Sequence, residues 1–104
     1  MRRGTTPTCT IETNVDLSGC TVFVTFQQNG KNVIEKTGAD VVITPSNDGS
    51  TATFTLTQED TLKLVPGRVL VQVRYVDAFG TADASEIIST TAAEILKDGV
   101  IEYV

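Results

Sequence analysis

The sequence predicts an all-β fold, and two features of its 104 residues support that prediction. Short segments alternate between apolar and polar residues, which is the pattern of half-buried strands. Turn-forming residues interrupt these segments about every ten positions, a rhythm typical of sandwiches and small barrels. We therefore expect one domain over residues 1–104, an immunoglobulin-like or fibronectin-like β-sandwich of about seven strands with one short crossover helix. A small closed barrel is the alternative.

Four predicted strands lie in the first half of the chain, at residues 8–13, 20–28, 31–36 and 41–44. In the clearest of them, every second residue from Val22 to Phe26 shares one face, and β-branched and aromatic side chains suit such a surface. Asn29-Gly30 predicts a tight hairpin, because type I′ turns need positive φ at both central residues. Pro45 is expected to end the fourth strand, since proline has no N–H to donate to a sheet.

The second half of the chain predicts strands at residues 51–57, 68–76 and 81–91, with a short helix between the first two. Thr57 followed closely by Asp60 is typical of a helix N-cap with acids in the first turn. We expect this helix to end near Leu64 and to cross from one sheet to the other. The last segment is ambiguous: residues 92–97 suit a helix that Gly99 ends, and the apolar residues after it suit a terminal strand.

The period-2 spacing in these segments also predicts the hydrophobic core, because alternate side chains of a strand point to the same face. The expected core residues are Val22, Val24, Phe26, Phe54, Leu56, Val69, Val71, Val73 and Tyr75.

The chain has two cysteines, Cys9 and Cys20. If the strands around them form a hairpin that turns through residues 14–19, Cys9 faces Val24, four positions along the strand from Cys20. That separation is about 13 Å at ~3.3 Å per residue, beyond the ~7 Å limit for a disulfide. We therefore expect free thiols and synthesis in a reducing cytoplasm. The alternative is a different strand pairing that brings the two cysteines close enough for a disulfide.

The residue content argues against an enzyme. The chain has no histidine, which removes the commonest acid–base side chain near neutral pH and the Ser-His-Asp and Cys-His arrangements. It has no phosphate-binding glycine loop and no nucleophile-elbow motif, and two cysteines alone do not make a structural zinc site. We expect no catalytic residue, no cofactor and no metal ion.

Two groups of acidic residues are interpreted as ordinary turns. Asn47-Asp48-Gly49-Ser50 offers one carboxylate, whereas calcium takes roughly six to eight oxygen ligands. Asp77 and Asp83 flank a predicted hairpin, but a carboxylate pair of the glycosidase kind needs a substrate cleft, and a small sandwich offers no obvious one.

The charge distribution argues against nucleic acid as a partner. The net charge is −5, and the eight basic residues are scattered from Arg2 to Lys97 instead of forming a patch. No apolar run approaches the ~18 residues of a membrane span, and no apolar region follows Arg2 and Arg3 as it does in a secretory signal. We expect no nucleic-acid partner, no membrane partner and no signal peptide.

Two stretches near the ends of the chain are candidates for protein–protein contacts. The first is a polar, extended arm that can lie along a neighbour's sheet edge, made of Gly4, Thr5, Thr6, Pro7 and Thr8. The second is apolar and comprises Val100, Ile101, Tyr103 and Val104. It suits a last core strand or, if it does not pack on its own sheet, a docking strand for another subunit.

Three short motifs resemble a group of small proteins of similar length encoded among the tail and baseplate genes of phages and prophages of Gram-positive hosts. They are the Arg3-Gly4-Thr5-Thr6-Pro7-Thr8 opening, the segment Leu56-Thr57-Gln58-Glu59-Asp60-Thr61-Leu62 and the strand Val71-Gln72-Val73-Arg74. Separately, Asp16-Leu17-Ser18-Gly19-Cys20-Thr21-Val22 resembles the first strand of the N-terminal domain of phage baseplate upper proteins. Those domains are immunoglobulin-like and attach receptor-binding parts to the particle.

The resemblances imply a non-enzymatic virion component, a tail or baseplate protein assembled in the bacterial cytoplasm. Its partners would be other tail or baseplate proteins or further copies of itself. Neither resemblance implies a catalytic residue. The alternative is a carbohydrate- or cell-surface-binding sandwich, although the chain has no tryptophan and its few aromatic residues fall mostly on predicted core faces.

Overall fold

The computed structural model describes residues 1–103 and contains eight strands, a short α-helix and one 3-10 turn. The strands are β1 Thr8–Thr13, β2 Thr21–Gln28, β3 Lys31–Thr37, β4 Val42–Ser46, β5 Gly49–Thr55, β6 Gly67–Val76, β7 Ala82–Ala84 and β8 Ile88–Ala92. The helix, α1, spans Gln58–Leu62, and the 3-10 turn spans Gly38–Asp40.

The strands form two antiparallel sheets, so the all-β prediction is confirmed and the closed barrel is wrong for the described residues. The smaller sheet has the order β1-β5-β4. The larger one has the order β3-β2-β6, and both β7 and β8 pair with the remaining side of β6, β7 near its end and β8 near its start. Helix α1 connects β5 of the smaller sheet to β6 of the larger one, as the sequence predicted.

The hydrophobic core consists of the inward-facing side chains of both sheets, together with Leu17, Val41, Leu56 and Leu64 from the connections between elements. Eight of the nine predicted core residues are buried, and the ninth, Tyr75, is partly buried against them. Phe26 and Phe54 meet edge to face across the two sheets, with ring centroids 5.9 Å apart. That geometry suits the opposite charges of an aromatic edge and face.

Two local predictions are confirmed in detail. Asn29 and Gly30 have φ of 52° and 76°, as a type I′ turn between β2 and β3 requires. Thr57 caps α1: its hydroxyl accepts a hydrogen bond from the Asp60 N–H at 3.1 Å, and the Asp60 carboxylate accepts one from the Thr57 N–H at 2.9 Å. This reciprocal pair satisfies backbone donors that the first helical turn leaves free.

The predicted hairpin between the first two strands is wrong. β1 pairs with β5, placing Cys9 opposite Phe54, whereas β2 lies in the other sheet between β3 and β6. Cys9 and Cys20 are free thiols, as expected, but they do not face each other across a hairpin: Cys9 lies on β1, and Cys20 directly precedes β2 of the other sheet. Exposed and half-buried residues alternate along β1, but such alternation carries no information about which strand lies beside it.

The predictions for the last quarter of the chain need three corrections. Residues 81–91 form two short strands, β7 and β8, instead of one. Residues 92–97 are not helical, because Ala92 completes β8 and the residues after it are irregular. Residues 100–103 form no strand and are exposed. The interpretation of Val100, Ile101 and Tyr103 as a last core strand is therefore wrong. Val104, part of the same predicted strand, lies outside the described residues.

Candidate interaction surface

The N-terminus lies along β8. The terminal ammonium donates to the Thr91 carbonyl at 2.6 Å, the Ala93 N–H donates to the Met1 carbonyl at 2.7 Å, and the Arg3 N–H donates to the Ala93 carbonyl at 3.0 Å. Arg2 and Ala93 form a parallel bridge. The first three residues therefore add a short parallel extension to the larger sheet.

The side chain of Arg3 fastens this extension to two other parts of the fold. Its guanidinium donates to the carbonyls of Leu62 and Leu64 at the end of α1, where a cation complements the free carbonyls of a helix terminus. It also forms ion pairs with Glu94 at 3.2 Å and with Asp98 at 3.4 Å. Because both carboxylates are exposed, we attribute most of the fastening to the carbonyl contacts.

The predicted arm of residues 4–8 crosses its own domain next to α1. Gly4 has φ of +72°, and a Cβ there would lie 2.9 Å from Ile95 Cδ1, so glycine fits both the backbone and the space. The buried hydroxyl of Thr61 donates to the Thr5 carbonyl at 2.8 Å, and the Leu56 N–H donates to the Pro7 carbonyl at 3.0 Å. The side chains of Thr5, Thr6 and Thr8 remain exposed, whereas Gly4 and Pro7 are half-buried.

The apolar C-terminal segment is held against the same helix by one side chain. The Gln58 amide donates to the Ile101 carbonyl at 2.9 Å and accepts from the Ile101 N–H at 2.8 Å, as a neighbouring strand would. Val100 and Thr6 line the same shallow depression beside the first turn of α1. The two stretches selected from the sequence therefore meet at α1, although they lie more than ninety residues apart in the chain.

The fixed C-terminal backbone presents apolar side chains to solvent. Ile101 is 55% exposed, Val100 is 51% exposed, and Tyr103 and Leu96 have no substantial cover. We call the side chains of Leu96, Val100, Ile101 and Tyr103 the apolar terminal surface. Contiguous apolar patches on the surface of a globular protein often mark a contact with another molecule.

The two residues that hold this arrangement together, Arg3 and Gln58, were not identified as such from the sequence. Arg3 contacts residues 59 to 95 positions away, and Gln58 contacts Ile101 43 positions away. No local pattern encodes such contacts.

The acidic groups selected from the sequence occupy turns. The Asp77 carboxylate accepts from the N–H groups of Phe79 and Thr81, both at 2.9 Å, and so shapes the β6–β7 turn. Asn47 and Asp48 are the two residues of the β4–β5 hairpin loop. Among residues 1–103, no three Cys, Asp or Glu side chains converge as metal ligands would.

The comparisons with known proteins add no relative. The chain has no significant match among protein-family models, curated proteins or solved structures. No helix within the described part of the chain has the length and apolar content that crossing a membrane requires.

Proposed function

We propose that the fold is immunoglobulin-like, on the basis of its strand order. In that fold one sheet contains strands B, E and D, and the other contains C, F and G, with C′ added next to C in variable-type domains. If β1 is strand B, then β1-β5-β4 has the order B-E-D and β3-β2-β6 has the order C′-C-F. Strand G is then divided into β7 and β8, and α1 lies on the E–F connection.

We further propose that the protein is a non-enzymatic structural component of a phage or prophage tail or baseplate, assembled in the bacterial cytoplasm. It acts through contacts with other tail or baseplate proteins. The observation that supports this proposal most directly is the apolar terminal surface, which lies beside residues 4–8 on a backbone that Gln58 fastens. The resemblance of residues 3–8 and 56–62 to tail-region proteins falls on the segments that build this surface.

The fastening of the backbone gives the surface a physical advantage in binding. An unattached C-terminal segment would lose conformational freedom when it bound, and that loss would weaken binding. Because Gln58 already hydrogen-bonds both backbone groups of Ile101, part of that loss has occurred on folding. Ile101 and Tyr103 are then the apolar anchors that a partner's pocket would take up.

Co-purification tests the proposed function directly. The protein would be produced together with the tail and baseplate proteins encoded by its neighbouring genes, and complexes would be separated by size-exclusion chromatography. Ile101→Asp and Tyr103→Asp should each remove the protein from the complex, because a carboxylate in an apolar pocket loses its hydration.

The matched control is Phe79→Asp. Phe79 is 94% exposed in the β6–β7 turn, at the opposite end of β6 from α1. It should leave the complex intact. If the wild-type protein joins no complex with any of these proteins, or if all three variants behave alike, the proposed function is wrong.

A further inference from the structure

The sheet edges of this protein are protected to different degrees. β3 begins with Lys31 and has an irregular register against β2, and β7 has only three residues. β4 continues two residues beyond its predicted end at Thr44 and therefore contains Pro45. The outer side of β8 is partly covered by the N-terminus, through Thr91 and Ala93. Lysine, proline, bulges, shortness and cover are the means by which proteins keep edges from pairing with other chains.

Strand β1 is a six-residue edge without any of these protections. Its residues Thr8–Thr13 contain no lysine or proline, and its register against β5 is regular along the whole strand. Within the described residues, its only backbone partner is β5.

One hydrogen bond shows which backbone groups of this edge have no partner in β5. The Leu56 N–H donates to the Pro7 carbonyl, which extends the β1–β5 register by one pair. Residues of an antiparallel strand turn their backbone groups alternately toward and away from the neighbour. Cys9, Ile11 and Thr13 therefore bond to β5, whereas Thr8, Thr10 and Glu12 direct their N–H and C=O groups to the open side.

We propose that two copies of the chain pair through β1, antiparallel about a two-fold axis at Thr10, joining their smaller sheets into one six-stranded sheet. In this register Thr10 lies opposite its counterpart, and Thr8 lies opposite Glu12 of the second copy. Each of these pairs exchanges two backbone hydrogen bonds, which makes about six in total. A shift of two residues would leave some of the outward groups without a partner.

The side chains of β1 are compatible with this pairing. Cys9 and Ile11 are half-buried and pack against the core. In the proposed register, Cys9 of each copy lies opposite Ile11 of the other copy. The half-buried apolar strip of β1 would then continue across the axis. Glu12, the only charged residue of the strand, lies opposite a threonine and so avoids like-charge repulsion at the centre.

A matched set of charge variants tests the register. Thr8→Lys places a cation opposite Glu12 twice in the dimer, whereas Thr8→Glu places an anion there. Both variants lose the same contact to the Thr55 hydroxyl within the monomer. By sedimentation velocity, Thr8→Lys should tighten dimerisation by about three- to tenfold and Thr8→Glu should weaken it by a similar factor.

Thr10→Lys tests the axis, because it places two lysines opposite each other and should weaken dimerisation by about two- to fivefold. Thr44→Lys, on the exposed face of β4 in the same sheet, should not affect dimerisation. Circular dichroism and thermal unfolding would verify that every variant is folded. A wild-type protein that stays monomeric up to millimolar concentration would overturn the proposal, as would a dimer on which Thr8→Lys and Thr8→Glu act in the same direction.

This inference goes beyond the proposed function, and the two fail separately. Thr10→Lys, which lies outside the arm of residues 4–8, should leave the partner contact of Ile101 and Tyr103 intact. The aspartate substitutions at those two residues should leave the dimer intact.

Discussion

The Lys36 ammonium lies 2.7 Å from an Asp60 carboxylate oxygen, and both side chains are mostly shielded, at 15% and 14% exposure. The pair links the edge strand β3 to the first turn of α1. Burial of Asp60 raises its pKa, but the hydrogen bond from Lys36 and those with Thr57 outweigh this effect, so the pKa of Asp60 is lowered overall. One carboxylate thus serves both as an ion-pair partner and as the capping acid of the helix.

Asp60→Asn tests this double role. Asparagine has the same shape but no charge to offer Lys36, and we expect a loss of about 1–3 kcal/mol in the free energy of unfolding. Glu59→Gln is the control, because Glu59 lies in the same helical turn and its side chain is exposed. Urea denaturation at neutral pH measures both. Equal effects of the two substitutions would show that the ion pair contributes nothing specific.

The lowered pKa of Asp60 predicts an acid-sensitive component of stability. A carboxyl group whose pKa is lower in the folded state stabilises the fold above its unfolded value, here near 3.8, and this contribution is lost as the pH falls through the folded value. Between about pH 5 and pH 2, the wild-type protein should therefore lose more stability than Asp60→Asn does. Parallel losses, measured by thermal unfolding across this range, would contradict the assignment.

Gln28 is a buried amide at the end of β2, and its hydrogen bonds should make it important for stability. It donates to the Val65 carbonyl at 2.8 Å and to the Arg68 carbonyl at 3.2 Å, and it accepts from the Val65 N–H at 2.8 Å. Gln28→Ala should cost about 2–3 kcal/mol, because these backbone groups lose their partner. Gln27→Ala is the control, since the Gln27 side chain donates to the exposed side chain of Asn32 and not to backbone. A smaller effect at position 28 than at position 27 would refute the role.

Gly49 marks the closest approach between the β4–β5 hairpin and the end of β1. A Cβ at this position would lie 2.1 Å from the Thr13 carbonyl oxygen, which is backbone and cannot rotate away. Gly49→Ala should therefore destabilise the protein by about 1–3 kcal/mol, the usual range for forced backbone shifts. Asp48→Ala, one residue earlier in the exposed loop, should change the unfolding free energy by less than about 0.5 kcal/mol. Thermal unfolding of both variants makes the comparison.

Removal of residues 100–104 separates folding from binding. The described part of this segment belongs to no strand, and its side chains are exposed, so the truncated protein should stay folded with a loss of less than about 2 kcal/mol. It should no longer join complexes that require Ile101 and Tyr103, while self-association through β1 persists. Unfolding of the truncated protein, followed by circular dichroism, would show instead that the segment is part of the core.

Local sequence signals were sufficient where the interaction spans only a few residues. Asn29-Gly30 determines its turn because few residue pairs accept positive φ at both positions. Thr57 and Asp60 cap α1 through hydrogen bonds that span only three residues of the chain. Alternation from Val22 to Phe26 and from Val69 to Tyr75 identified the inward faces, because a strand repeats every two residues. The all-β class and most of the core followed from these signals alone.

Only the tertiary structure decided which elements lie side by side. Cys9 lies opposite Phe54, 45 positions along the chain, and the alternation in β1 is equally consistent with β2 as its neighbour. The apolar residues 100–103 have a composition that suits a strand, but strand formation needs a partner edge, and the N-terminal residues partly cover the edge of β8. Instead, the Gln58 side chain hydrogen-bonds the backbone of Ile101, and the Ile101 side chain remains exposed to solvent. The sequence by itself therefore determined the faces of the strands, whereas their neighbours and the exposed terminal surface depend on long-range contacts that have no local pattern.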